Sequence, residues 1–136
     1  FDACLMGQLE VMSAVAPHAK YAVASEETEP SLGWSYAGFL QALADDPAMT
    51  GRELGQAIVD TYIAGDIRVT DGTARDILTG GGYTAEEVVY ELSRGCTLST
   101  IDLSTMEDLN QAVNDLAVAL SGALRPSSIV EPKRDR

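Results

Sequence analysis

Several residue types are scarce in this sequence, and each scarcity narrows what the protein can do. Nine lysines and arginines stand against 21 aspartates and glutamates, which gives a formal net charge of -12. Such a surface repels phosphate groups, so the composition argues against nucleic-acid binding. Cys4 and Cys96 are the two cysteines, too few for a typical disulfide framework. Long apolar runs are also missing, so no segment predicts a membrane span.

What the sequence does have is the patterning of a folded α/β domain. Hydrophobic residues make up 46% of the chain, an ordinary fraction for a globular protein. Strand-like runs at residues 21–25 and 97–103 alternate with helical patterns, and Phe1 reads as the end of a strand whose beginning was cut away. Strands that alternate with helices predict βαβ units and a mainly parallel sheet covered on both faces.

Helices are predicted where apolar residues recur at helical spacing, and three of them open on a Ser/Thr-x-x-Glu capping box. The first two cover residues 5–16 and 34–43. The other three follow the capping boxes Thr50/Glu53, Thr84/Glu87 and Ser104/Glu107, and end near residues 62, 93 and 121. Residues 65–83 give no clear prediction. Residues 1–124 are expected to belong to one domain, and residues 125–136 to form a polar tail.

Cys4 stands between an expected strand end and the first turn of an expected helix, where open α/β sheets place reactive groups. A helix N-terminus favours the thiolate, which is the nucleophilic form of cysteine. The position of Cys4 therefore suits covalent catalysis. The alternative is a small buried cysteine at a strand–helix junction, because free cysteines are often buried.

A cysteine nucleophile needs a histidine within hydrogen-bond reach, and His18 is the one histidine in the sequence. Cys4 and His18 lie at opposite ends of one predicted helix, which separates them by about 20 Å. Either Cys4 is not catalytic, or its general base lies outside this sequence. No Gly-x-Ser-x-Gly elbow and no cluster of metal ligands is present, which argues against another class of hydrolase.

Three blocks of sequence resemble clostripain-like cysteine peptidases. The segment Asp2-Ala3-Cys4-Leu5-Met6-Gly7 looks like the family's nucleophile motif, and residues 23–36 and 97–104 resemble two later blocks. The family belongs to the caspase-like clan, so the resemblance implies an α/β/α sandwich and a catalytic dyad of cysteine and histidine. The family's histidine precedes the cysteine strand, which implies that it lies upstream of Phe1 and that this stretch alone is inactive.

The resemblance also implies roles for individual residues. Cys4 matches the nucleophile, and its backbone N–H would form part of the oxyanion hole. Asp2 matches the acid at the floor of the S1 pocket, where it would pair bidentately with arginine and less well with lysine. A helix N-terminal acid is the alternative for Asp2. Ala3, Ser25 and Thr28 are expected to line the same pocket.

The loop after the first predicted strand carries three further acids, Glu26, Glu27 and Glu29, for which a solvated acidic loop is a better interpretation than a site. Trp34 and Cys96 are expected to be packing residues. No aspartate-rich calcium loop stands out in the sequence, and Asp66 and Asp71 are interpreted as ordinary turn acids.

The implied function is an endopeptidase that cleaves after arginine in preference to lysine, secreted by a bacterium or held at its surface. Its expected partners are a peptide or protein substrate with a basic residue, and the missing N-terminal part of its own domain. The chemistry requires no cofactor, although the resemblance allows calcium dependence, which some family members show. The alternative is a catalytically inactive caspase-like domain used for binding or surface assembly.

Overall fold

A computed structural model describes residues 1–124, in which seven helices and two short strands are defined. The chain divides into two units, Phe1–Met106 and Glu107–Arg136. The strands are β1 (Tyr21–Ala24) and β2 (Ser99–Asp102). The helices are α1 (Leu9–Val15), α2 (Tyr36–Asp45), α3 (Gly51–Thr61), α4 (Ile67–Thr70), α5 (Gly72–Thr79), α6 (Ala85–Ser93) and α7 (Met106–Ala123).

The two strands pair antiparallel, with Tyr21 opposite Asp102 and Ala24 opposite Ser99. The predicted parallel arrangement is therefore wrong for this pair, and residues 1–124 contain no third strand that would extend it. Phe1 is assigned to no strand within residues 1–124, and its backbone nitrogen donates to the Val23 carbonyl at 2.7 Å. Alternation and composition indicate that a segment is a strand, but the direction in which it pairs depends on the path of the connecting chain.

Apolar clusters cover both faces of this sheet, because successive side chains of a strand point to opposite sides. Ala22 and Ala24 of β1 pack in a cluster with Met12 of α1, and Leu103 and Met106 complete it. On the other face, Val23 packs against a larger cluster. That cluster comprises Leu32, Trp34, Phe39, Ile58, Tyr62, Ile63, Val69 and Val88. Full burial of each large apolar side chain stabilises the fold by about 1.5–3 kcal/mol.

Helix α1 begins at Leu9, so the predicted start at Leu5 is wrong and Cys4 does not lie in the first turn of a helix. Residues 4–7 form a turn in which Leu5 has a left-handed φ of 62°. The Leu5 and Gly7 amides donate to the carbonyls of Glu27 and Ser25, at 3.1 and 2.8 Å. These bonds to a distant loop hold the backbone out of the helical conformation that the apolar spacing favours.

Two of the three predicted capping boxes are formed, at Thr50/Glu53 and Thr84/Glu87. The third is wrong: the Asp102 side chain accepts from the Ser104 amide and opens a 3₁₀ turn, Leu103–Thr105, ahead of α7. Helix α2 begins at Tyr36, two residues later than predicted.

Helices α4 and α5 occupy the segment for which sequence patterns offer no clear prediction, each capped by an aspartate, Asp66 or Asp71. The predicted polar tail lies outside the described residues. Within residues 1–124, no helix combines the length and the apolar character needed to cross a membrane.

Candidate active site

A pocket of about 350 Å³ lies beside Cys4 and joins the N-terminal segment to the loop that follows β1. We call it the Cys4 pocket. Its lining residues are Asp2, Ala3, Cys4, Glu29, Pro30, Ser31 and Gly33. The structure therefore brings Asp2, Ala3 and Cys4 to one cavity, and Cys4 is exposed there as a free thiol.

The sulfur of Cys4 is held by the backbone of Glu29. The Glu29 amide donates to Sγ at 3.2 Å, and Sγ lies 3.7 Å from the Glu29 carbonyl oxygen. The turn that follows uses the amides of Leu5 and Gly7, and none of its bonds within residues 1–124 uses the Cys4 amide. Cys4 thus presents a positioned sulfur and a backbone N–H that is free to donate to another group.

The Asp2 carboxylate is oriented by two hydrogen bonds to the same oxygen. Oδ2 accepts from the Trp34 amide at 3.2 Å and from the Tyr36 hydroxyl at 3.1 Å. Both rings pack on Phe39, with ring centroids 6.2 Å away for Trp34 and 5.3 Å away for Tyr36. The bond to Asp2 raises the pKa of Tyr36 above its ordinary value. Oδ1 accepts no hydrogen bond from residues 1–124 and remains open to a ligand.

Glu29 also lines the Cys4 pocket, although its position among other acids predicts a solvated loop residue. Its Oε2 accepts from Trp34 Nε1 at 3.0 Å, while Oε1 is buried and has no hydrogen-bond partner among the described residues. Burial is the main cause that raises the pKa of Glu29; the Asp2 charge also raises it, and the Trp34 bond opposes the shift. Glu26 and Glu27 are exposed, as a solvated loop predicts. No local pattern separates the three glutamates, because only the fold turns Glu29 inward.

The segment that carries Cys4 and part of the loop that follows β1 thus line one pocket. The sequence profile of the clostripain family matches residues 1–133. The chain belongs to the clostripain family. This family consists of cysteine peptidases, so a cysteine peptidase that acts on protein substrates is implied, and a caspase-like fold is suggested. No curated protein and no solved structure matches the chain.

Two residues that the clostripain resemblance assigns to the pocket do not line it. Thr28 is exposed on the loop outside the Cys4 pocket. Ser25 is fully buried, and its Oγ accepts from the amides of Glu27 and Thr97, at 3.2 Å each. Cys96 is half-buried, with Sγ 3.9 Å from Ser25 Oγ. Ser25 therefore ties the end of β1 to the segment that leads into β2.

The clostripain-family dyad also needs a histidine, and His18 is not placed to supply it. His18 is exposed in the turn after α1, whereas Cys4 lies in the turn that precedes that helix. Within residues 1–124, no three His, Cys, Asp or Glu side chains converge in a way that could hold a metal ion.

Proposed function

We propose that this chain carries the nucleophile and the specificity pocket of a cysteine endopeptidase that cleaves after basic residues, with arginine preferred over lysine. One observation carries the proposal: the Cys4 thiol and the Asp2 carboxylate line the same pocket. A carboxylate beside the nucleophile attracts a guanidinium or ammonium group and so sets which peptide bond meets the sulfur.

The proposed reaction is acyl transfer through Cys4. A histidine outside this sequence takes the thiol proton, and Sγ attacks the carbonyl carbon after the basic residue. The oxygen becomes an oxyanion, to which the free Cys4 N–H donates. The C–N bond then breaks as the histidine protonates the leaving amine. Water, deprotonated by the same histidine, hydrolyses the thioester and restores the thiol.

Three features of the whole protein belong to the same proposal. The segment that carries the histidine would add strands to the described part and complete a three-layer α/β/α sandwich. A secreted or surface location in a bacterium is supported by the typically extracellular character of clostripain-family peptidases. Calcium takes no part in the chemistry proposed. A dependence on it, as the family resemblance allows, would show as loss of activity on chelation and recovery with added Ca²⁺.

The test uses the full-length protein and reporter peptides that differ only in having arginine, lysine or glutamate before the scissile bond. We expect Cys4→Ala to lower turnover at least about 10³-fold, because the covalent step is lost. Asp2→Asn keeps acceptors for Trp34 and Tyr36 but removes the charge. It should lower kcat/KM for the arginyl peptide about 10- to 100-fold, since hydrogen bonds to charged groups contribute about 1.5–3 kcal/mol.

Cys96→Ala is the matched control, because it removes the other thiol, which lies outside the Cys4 pocket, and it should retain activity. Activity that survives Cys4→Ala would rule out the nucleophile assignment. Equal cleavage of the arginyl and glutamyl peptides would rule out the role of Asp2. A folded full-length protein that cleaves none of the peptides would instead support an inactive, binding member of the family.

A further inference from the structure

A second cavity, of about 330 Å³, adjoins the Cys4 pocket, because Ser31 lines both. We call it the α5–α6 pocket, since most of its lining comes from those two helices and the turn between them. Ser31 is exposed, so a peptide that lies across it would contact both cavities. The apolar lining of the α5–α6 pocket consists of Leu32, Leu78, Tyr83, Val88 and Leu92.

The walls of the α5–α6 pocket are held in place by the protein itself. The turn between the helices, Gly80–Gly82, has φ angles from 80° to 91°, in the left-handed region that favours glycine. Arg75 Nε donates to the Tyr83 carbonyl at 3.0 Å across this turn, which keeps the end of α5 beside the start of α6. Leu78 and Tyr83 remain 43% and 52% exposed, so their apolar surfaces are available to a ligand.

Three of the polar side chains that line the α5–α6 pocket already have partners within the fold. Glu87 Oε2 accepts from the Thr84 amide at 2.8 Å, and Glu91 Oε2 accepts from Arg94 at 3.5 Å. Thr79 Oγ1 donates to a carbonyl of α5 at 2.9 Å. The cavity therefore offers a ligand chiefly apolar surface to bury. Glu87 and Glu91 are exposed, and their charges disfavour an acidic ligand.

We propose that the α5–α6 pocket is an extended substrate subsite, which takes an apolar side chain such as leucine from a residue close to the basic residue of the substrate. The inference rests on the proposed endopeptidase function and deepens it. Small-ligand sites measure about 300–1,000 Å³, so a cavity at the lower end of that range suits one side chain of a peptide. Residues of an extended peptide follow one another about every 3.3 Å, so a few residues suffice to pass across Ser31 from one cavity to the next.

The test begins with the full-length protein and reporter peptides that contain one arginine before the scissile bond. Each position from three residues before the arginine to two after it is in turn alanine, leucine or glutamate. We expect one position at which leucine raises kcat/KM about tenfold over alanine, because an apolar pocket discriminates by the methylene groups that it buries. Glutamate at that position should lower kcat/KM below the alanine value, because of the charges of Glu87 and Glu91.

Variants then connect this preference to the α5–α6 pocket. Leu78→Ala should lower the ratio of kcat/KM for the leucyl and alanyl peptides about tenfold. Ile77→Ala is the matched control, because Ile77 is the preceding residue of α5, is 81% exposed and lies outside the pocket, and it should keep the ratio.

Tyr83→Ala repeats the test at the start of α6, and it decides the matter if Leu78→Ala does not fold, as melting temperatures would show. Its control is Tyr90→Ala, since Tyr90 is an exposed tyrosine of α6 outside the pocket. Tyr83→Ala should lower the leucine preference, and Tyr90→Ala should keep it.

Three results would overturn the subsite: no position that prefers leucine, a preference that survives in both Leu78→Ala and Tyr83→Ala, or an equal loss in Ile77→Ala and Tyr90→Ala. The proposed function stands in each case as long as the alanyl peptide is cleaved and Cys4→Ala is inactive. A folded protein that cleaves none of the peptides, or Cys4→Ala that still cleaves them, would instead overturn the proposed function and the subsite with it.

Discussion

At the scale of single residues, Gly33 is the most restricted position in the Cys4 pocket. Its φ is +70°, in the left-handed region where side chains are strained. A Cβ at this position would lie 3.2 Å from Asp2 Oδ2, the oxygen that accepts from Trp34 and Tyr36. Two independent constraints, one of the backbone and one of the neighbouring carboxylate, therefore require glycine there.

Gly33→Ala should destabilise the fold by about 1–2 kcal/mol through backbone strain and should also lower kcat/KM for an arginyl peptide by displacing Asp2. Gly80→Ala is the matched control, because Gly80 has a φ of +80° and a Cβ there would meet nothing within 4 Å. Thermal melts should show a loss of stability in both variants, and peptide assays a loss of activity in Gly33→Ala alone. Equal activity in the two variants would contradict a constraint exerted through Asp2.

Asp2 and Glu29 both line the Cys4 pocket, but the sequence predicts this for Asp2 alone. Asp2 belongs to a motif of adjacent residues with Cys4, so the sequence predicts that the two share a site, and both line one pocket in the structure. Glu29 stands among other glutamates in a polar loop, so no local pattern predicts that it lines the pocket. Its burial depends on Trp34, whose indole N–H turns the side chain inward.

At the scale of secondary-structure elements, a capping-box pattern predicts a helix start correctly where no neighbouring side chain competes for the same backbone amides. Thr50 and Glu53 bond reciprocally at the start of α3: the Thr50 amide donates to Glu53 Oε2 at 2.7 Å, and the Glu53 amide donates to Thr50 Oγ1 at 3.3 Å. Thr84 and Glu87 repeat the arrangement at α6. Ser104 fails to do so because Asp102, at the end of β2, captures its amide at 3.0 Å.

Thr50→Ala should destabilise the protein by about 1 kcal/mol, because the first turn of α3 loses its cap. Thr73→Ala is the control, since Thr73 is an exposed residue within α5 rather than a cap, and it should change stability by less than about 0.5 kcal/mol. Denaturant titration measures both changes. A loss in Thr73→Ala as large as that in Thr50→Ala would contradict the capping explanation.

The same cap predicts a dependence of stability on pH. Hydrogen bonds from the Thr50 amide and hydroxyl lower the pKa of Glu53 below its ordinary value of 4.5. A carboxyl group with a lowered pKa contributes stability above its unfolded pKa, and that contribution is lost as pH falls through the folded pKa. Melting curves between neutral pH and pH 3 should therefore converge for the parent protein and Glu53→Gln. A gap that stays constant over this range would contradict the prediction.

At the scale of the whole molecule, the packing of α3 against the sheet depends on a close approach that leaves no room for a side chain. A Cβ on Gly55 would lie 2.5 Å from Thr100 Cγ2 of β2 and 2.7 Å from Thr100 Oγ1. Gly55 is buried within α3 at that contact. Glycine lowers helix propensity, so its presence here reflects tertiary packing rather than helix formation.

Gly55→Ala should lower stability by about 1–3 kcal/mol through overpacking, despite the better helix propensity of alanine. Gly72→Ala is the control, because its nearest neighbour would be Arg75 Nη2 at 3.7 Å, and it should leave stability unchanged or raise it. Calorimetry of the two variants measures the difference. A Gly55→Ala protein as stable as Gly72→Ala would contradict the packing seen between α3 and β2.

The sequence by itself determined features that depend on residues close together in the chain: the caps of α3 and α6, the strand character of residues 21–24, and the motif that joins Asp2 to Cys4. Those signals act over about one helical turn or within one motif. Only the tertiary structure decided that β1 and β2 run antiparallel, that Cys4 lies in a turn ahead of α1, and that Glu29 faces the pocket. Each of these depends on interactions that the local pattern does not specify: the Leu5 and Gly7 amides bond to the loop after β1, and Trp34 bonds to both carboxylates.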